Sequence, residues 1–249
     1  MKKMTALLLA GLLTLSLAAC SGEENREVSE PESSQTVQSE TTSSESEESK
    51  TEQTPNSEQA AEETGSNMLI AYFSYGENAE LPEGVDASAS ASIQTWNDQL
   101  TGNTGVVASM IAESTGAELF SIRTVEKYPD SYDATIDQGQ EERNAGARPE
   151  LEAMPENLDS YDVIFLGFPN WWGDMPMAMY SFLDQVDLSG KTIVPFVTSG
   201  GSGFSNTIST IEDMESGATV QEGLEISDSG ATEAQEQINE WLNGLGYIQ

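Results

Sequence analysis

The sequence predicts an α/β fold, a three-layer doubly wound domain around a five-stranded parallel sheet, and three observations predict it. The apolar runs at 68–73, 163–168 and 192–197 are continuous rather than alternating, as strands buried on both faces are. Between them lie segments whose apolar residues recur three and four apart, the period of an amphipathic helix. The two kinds of segment alternate over residues 67–249, a length that suits one domain.

The chain reaches that domain through two other segments. Lys2 and Lys3 precede an apolar stretch at 5–19, and Leu17-Ala18-Ala19-Cys20 closes it. A charged start, a short apolar run and small residues before a cut describe a secretory signal peptide over 1–20. An apolar run of 15 residues is short for crossing a bilayer. The Leu-Ala-Ala-Cys sequence with Ser21 and Gly22 after it resembles the bacterial lipobox. That resemblance implies that Cys20, the only cysteine, carries a diacylglycerol and a further acyl chain such as palmitate, which together anchor a protein stably. The alternative is an ordinary signal peptide with a chance cysteine. Residues 21–66 then hold 30 Ser, Thr or Glu among 46 residues, with Val28, Val37, Ala60 and Ala61 as their only aliphatic residues. Such a segment buries too little apolar surface to offset its ordering entropy and is expected to be a disordered tether.

Within 67–249 the first strand, 68–73, leads into Ser74-Tyr75-Gly76 and a polar stretch, 77–101, whose Ser/Ala-rich part reads as loop. Thr101-Gly102-Asn103-Thr104-Gly105 opens a helix over 105–113, with Asn103 or Thr104 as its cap. A short strand at 119–122 follows. The third strand, 163–168, runs into Pro169-Asn170-Trp171-Trp172-Gly173-Asp174, with Asp174 a candidate cap for a helix over 175–186. The fourth, 192–197, contains Pro195, awkward in a central strand, so a bulge is expected there. It ends in Thr198-Ser199-Gly200-Gly201-Ser202-Gly203, before a helix over 204–214. A fifth strand within 218–226 and a last helix over 232–245 complete the pattern.

Charge narrows the function. The chain has 43 acidic and 9 basic residues, a net −34, and 67–249 alone carries 30 against 5, a net −25. With no basic footprint, nucleic acid is excluded as a partner. With no histidine and one cysteine, His/Cys zinc sites, Cys–His nucleophiles and Ser–His–Asp triads are absent too. Chemistry must come from carboxylates, hydroxyls, backbone groups or a bound cofactor, and no catalytic side chain or metal ligand stands out.

Open α/β sheets take ligands beyond the carboxyl ends of their strands. There, the Gly102-Asn103-Thr104 helix start offers amides and hydroxyls to an anion. Trp171 and Trp172 offer a flat aromatic surface, unless one or both complete the core. The glycines at 200, 201 and 203 allow close approach of backbone amides to a ligand.

These segments, with Ile70-Ala71-Tyr72-Phe73-Ser74 and Tyr161-Asp162-Val163-Ile164-Phe165-Leu166-Gly167, resemble the flavodoxin-like proteins that carry Gly-Asn-Thr in the first loop and Pro-x-Trp-Trp in the second. The resemblance covers roughly 67–249 and implies strand order 2-1-3-4-5 and non-covalent FMN. It places the FMN phosphate on Ser74, Asn103 and Thr104, beside Tyr75, Gly76 and Gly102. It places the isoalloxazine ring between Pro169, Asn170, Trp171, Trp172 and Gly173 on one side and Thr198, Ser199, Gly200, Gly201 and Gly203 on another. Compact flavodoxins run the Ser74 and Gly102 segments together, whereas about 25 residues separate them here.

The expected function is therefore an FMN oxidoreductase, lipid-anchored on the outer face of the cell membrane. It would pass electrons to a small-molecule or protein redox partner, such as a quinone-like acceptor. Two alternatives stay open: a non-enzymatic electron carrier that uses its acidic surface to steer docking, and a flavin-free ligand-binding lipoprotein.

Overall fold

A computed structural model describes residues 67–82 and 92–249. The segments expected to be a signal peptide and a tether, with Cys20, and most of the Ser/Ala-rich stretch lie outside the described residues.

Four strands pair in parallel: β1 (Met68–Tyr72), β4 (Glu118–Ser121), β5 (Val163–Pro169) and β6 (Thr192–Ser199). Both β7 (Thr219–Val220) and β8 (Leu224–Ser227) pair in parallel with β6. The order β4-β1-β5-β6, then β7 and β8, is the predicted 2-1-3-4-5 with the fifth strand split in two. Alternate strand residues feed opposite layers, as the two-residue period demands. Leu69, Ala71, Phe73, Ile164, Leu166, Phe168, Ile193 and Val197 pack on one side against α4 (Met177–Leu183) and α5 (Thr207–Met214). Ile70, Tyr72, Phe165, Val194 and Phe196 pack on the other against α2 (Asn103–Thr115) and α6 (Gln235–Leu245).

The expected bulge belongs to the neighbouring strand. Pairing of β6 with β5 continues through Leu166 and Pro195 without interruption. Ile193 turns its carbonyl toward the fifth strand, where Gln221 N–H donates to it at 2.9 Å, so alternation turns the missing N–H of Pro195 the same way. There the fifth strand breaks. Val220 faces Ile193 and Leu224 faces Phe196, which sets three residues against two. Gly223 sits in that gap, where a Cβ would meet the Phe204 ring at 2.5 Å and Pro195 Cγ at 3.0 Å.

Three elements depart from the sequence reading. Residues in 77–101 form part of a helical turn, α1 (Tyr75–Asn78), and an antiparallel hairpin, β2 (Ile93–Trp96) with β3 (Gln99–Gly102). The hairpin turn uses Asn97 and Asp98, both in the left-handed region at φ 50° and 62°. A further helix, α3 (Tyr132–Ala145), buries only Thr135 and Gly139. With no apolar stripe, its sequence carries no helical period to read.

Candidate functional site

Past the carboxyl ends of β1, β5 and β6 lies a cavity of about 370 Å³, within the usual range for small-molecule sites. Of the segments that the sequence singled out, Pro169, Asn170, Trp171 and Trp172 of the second loop line it, with Thr198 and Gly200 of the third and Tyr75 of the first. Ser74, Gly76, Gly102, Asn103, Thr104, Gly173, Ser199, Gly201 and Gly203 are not among its lining residues.

The first loop is assembled from two distant segments. A Cβ on Gly76 would fall inside the Thr101 carbonyl group, and one on Gly102 would sit 2.7 Å from Ser74 Oγ and 2.5 Å from the Ser92 carbonyl oxygen. Only glycines allow β3 to return this close to the end of β1. The inserted 25 residues thus form an excursion whose ends rejoin, with Ser74 Oγ 3.4 Å from Thr101 Oγ1. Glu77 holds the junction from below. Its carboxylate, largely buried, accepts from Tyr72 Oη at 3.1 Å, Thr101 Oγ1 at 2.5 Å and the Ser121 hydroxyl, and pairs with Arg123 at 3.5 Å. Burial, with this carboxylate alongside, pushes the Tyr72 phenol well above its ordinary pKa.

The cap of α2 is Gly102, not Asn103 or Thr104, which occupy the first two helical positions. The glycine cap has no side chain, and no side-chain cap hydrogen bond forms at this helix start. Thr104 Oγ1 lies 2.8 Å from Thr198 Oγ1, joining the helix start to the end of β6. The side chain of Asn103 is engaged within the protein: Oδ1 accepts from Gln94 Nε2 at 2.8 Å, and the amide donates to Asp228.

The second loop is a two-residue type I′ turn, with Trp171 and Asp174 exchanging backbone hydrogen bonds at 2.9 and 3.0 Å. Its central residues, Trp172 and Gly173, have φ of 58° and 75°. Glycine suits that region, whereas a bulky residue there costs on the order of 1–3 kcal/mol. The two tryptophans divide the tasks the sequence left open. Trp171, half-buried, meets Phe73, Tyr128 and Tyr75 edge-on, with ring centroids 5.4, 5.3 and 6.4 Å away, and so packs against the core while still lining the cavity. Trp172 is 46% exposed at the cavity mouth, its Nε1 donating to the Ile136 carbonyl at 3.2 Å.

Asp174 is not the cap of α4, a place taken by Pro176. Its carboxylate accepts from Met175 N–H at 2.8 Å, Tyr180 Oη at 2.7 Å and Arg143 Nε at 3.4 Å, which commits it to the turn. Burial first, then this carboxylate, pushes the Tyr180 phenol up to about 12.

In the third loop Ser199 Oγ accepts from Gly201 N–H at 3.2 Å and Gly203 N–H at 3.0 Å. Those two amides donate within the loop, and Gly200 and Thr198 are its residues that line the cavity. Phe204 is buried against Phe168 and lies in the core. Asn170 fastens the second loop to the third. Its N–H donates to the Thr198 carbonyl at 2.9 Å, its Nδ2 to the Gly203 carbonyl at 2.8 Å and Ser205 Oγ at 2.9 Å, and its Oδ1 accepts from Gly173 N–H at 3.0 Å.

Residues 98–245 match the flavodoxin family, more than half of the chain. The chain belongs to the flavodoxin family. None of the curated proteins matches it. Among solved structures, a candidate flavoprotein from Bacteroides eggerthii is 26% identical with a TM-score of 0.55, over 71% of this chain and 96% of that one. Another from Bacteroides uniformis is 25% identical with a TM-score of 0.54, over 72% and 99%. Family membership assigns FMN as the cofactor of this flavodoxin, and the residues fit it. The buried hydroxyls of Ser74 and Thr104 beside the start of α2 suit a phosphate, and Trp172, in the left-handed region, lines the cavity.

Several lining residues of this flavodoxin escaped the sequence reading: Ser92 from the hairpin, Tyr132, Thr135, Ile136 and Gly139 from α3, and Asp228 after β8. The hairpin had a legible signal in the polar pair Asn97-Asp98 between two short runs. For α3 only its boundaries were marked, by Ser131 before it and the left-handed Gly146 after it. Asp228 had no signal.

Proposed function

We propose that this flavodoxin is an FMN-dependent oxidoreductase, anchored by a lipidated Cys20 on the outer face of the cell membrane, that passes electrons to a quinone-like or other small aromatic acceptor. Residues 21–66, as a flexible chain, would span on the order of 35–40 Å and hold the domain clear of the lipid. The observation that carries the reading is one cavity lined by the aromatic turn, the glycine loop and Tyr75, with the start of α2 tied to its wall by the Thr104–Thr198 contact and the two loops joined by Asn170–Gly203. Bound FMN supplies hydride and one-electron transfer, and the protein supplies orientation and electrostatics. The start of α2, with the Ser74 and Thr104 hydroxyls, would hold the anionic tail. Trp172 sets the plane of the ring, and Asn170 keeps the aromatic turn in register with the glycine loop. The exposed Tyr132 and Trp172 leave the mouth open to a flat acceptor.

The net −25 of residues 67–249 favours a second reading, an electron carrier that docks on a basic redox protein. The purified full chain separates the two. A flavin spectrum with steady oxidation of NAD(P)H by a soluble quinone supports the enzyme. Electron exchange with a protein partner alone supports the carrier. A colourless protein that leaves added FMN fluorescence unquenched contradicts both.

A further inference from the structure

All five basic residues of 67–249 are engaged, and none lines the cavity. Arg123 pairs with Glu77 at 3.5 Å, Lys127 with Glu152 at 2.8 Å and Arg143 with Asp174 at 3.4 Å, while Arg148 pairs with Asp184. Lys191 Nζ donates to the Tyr161 carbonyl at 2.6 Å. Arg143 is the one cation on α3, and its partner belongs to the aromatic turn. The charge left around the cavity mouth is acidic. Asp133 and Asp137 are exposed on α3, each one position past a lining residue, Tyr132 and Ile136, and the charged lining residue, Asp228, is an acid too.

The same mouth carries an aromatic ring that the protein does not use. Tyr75 and Trp171 meet edge-on in the cavity wall, whereas Tyr132 meets no other ring among the described residues. It is 65% exposed although it lines the cavity. Trp172 Nε1 donates to the carbonyl of Ile136, one turn along α3 from Tyr132, which places the indole beside the turn that carries this ring.

Stacking on an aromatic face asks only that a ligand be flat. Its charge is then judged by the surroundings, and acids unopposed by a cation repel an anion that comes within the screening length. The FMN phosphate is a different case, since the start of α2 with the Ser74 and Thr104 hydroxyls would seat it. An anion arriving at the mouth meets no such seat and faces the bound phosphate as well.

We propose, resting on the flavin reading above, that the mouth selects its acceptor by charge, taking flat aromatic rings that are neutral or cationic and turning away anionic ones. Tyr132 is the residue on which the acceptor stacks, and the acids of α3 are the repulsive element that makes the choice.

The test loads the isotope-labelled full chain with FMN and keeps the flavin oxidised, so that binding is read without electron transfer. Amide resonances of α3 are followed during titration with naphthoquinone, with the same ring bearing a sulfonate, and with the same ring bearing a trimethylammonium group. At low salt the sulfonate should bind roughly tenfold more weakly than the neutral ring, the scale of one unit charge about 10 Å away at an effective dielectric of 20. The cationic ring should bind at least as tightly as the neutral one. Added salt should narrow the gap, and so should Asp133→Asn combined with Asp137→Asn. Tyr132→Leu should weaken the neutral ring roughly five- to tenfold and leave FMN affinity within about twofold, while Tyr132→Phe should preserve both. A sulfonate that binds as tightly as the neutral ring, or a gap that salt does not move, overturns the selection by charge. If Tyr132→Leu leaves probe binding unchanged, or costs FMN affinity instead, Tyr132 is not the acceptor's seat and the flavin reading stands. If the chain takes up no FMN, both fall.

Discussion

The cavity has two walls of different construction. One is made of strand ends and their loops, where Thr104, Thr198, Asn170 and Ser199 tie the start of α2, the aromatic turn and the glycine loop to one another. The other is α3, which the sheet does not hold. Thr135 Oγ1 lies 3.3 Å from Tyr75 Oη, Tyr128 Oη donates to Glu142 at 2.9 Å, and Gly139 lets the Trp171 ring approach to 3.3 Å from where its Cβ would be. Trp172 Nε1 adds its bond to Ile136. The first wall is preorganised by the fold, whereas the second is clasped by the aromatic residues of the first. A dense polar network fixes the part that grips, and a more lightly held helix closes the side.

Trp171→Ala gives the strongest challenge to that contrast. Emptying its place among Phe73, Tyr75 and Tyr128 should cost about 3–5 kcal/mol in urea unfolding. Amide exchange in α3 should accelerate before that in β5 and β6, and uniform acceleration would mean that the walls are not held differently. Asn170→Ala leaves α3 in place but unties the two loops of the first wall. A loss of about 1–3 kcal/mol in stability is expected, with weaker FMN quenching and unchanged protection of α3. Trp172→Asn should act in the opposite sense on the fold, because Asn-Gly is the favoured pair for a type I′ turn. Stability should rise by about 1 kcal/mol as the left-handed strain is relieved, while FMN affinity drops roughly tenfold with the lost stacking surface. A variant that gains stability and keeps its affinity would remove Trp172 from the site.

The smallest effect is a control far from both walls. Glu215 is buried, and desolvation raises its carboxyl pKa, with the Leu188 N–H, 3.3 Å away, opposing the rise. The folded state then binds the proton more tightly than the unfolded state. Stability at this residue is greatest in acid and declines as pH rises from the unfolded pKa, about 4.3, through the raised native one. Glu215→Gln should therefore melt slightly higher than wild type at pH 7, with the gap closing near pH 4 and FMN affinity unchanged.

Legibility in the sequence followed the same division. The strands 163–168 and 192–197 were readable because burial on both faces leaves unbroken apolar runs, and the gripping loops because glycine, proline and tryptophan punctuate their ends. The helix α3 was hidden because its contacts are side-chain hydroxyls and one glycine rather than an apolar stripe. The division between Trp171 and Trp172 was hidden too, since it depends on a backbone sign that composition does not carry. Pro195 was read as a fault in its own strand, and the fault appears instead in the neighbour that lost a donor. Asp228 was silent because only the fold brings it to the cavity and to Asn103, 125 positions earlier in the chain.

The convergence of three loops on one flavin is tested most directly by adding FMN to the isotope-labelled full chain and following amide and indole resonances. The account predicts that Asn103, Thr104, the Trp172 indole and Gly200 shift together along one binding curve, while Glu215 and the amino ends of the strands stay still. Shifts confined to a single loop, or absent from all three, would contradict it.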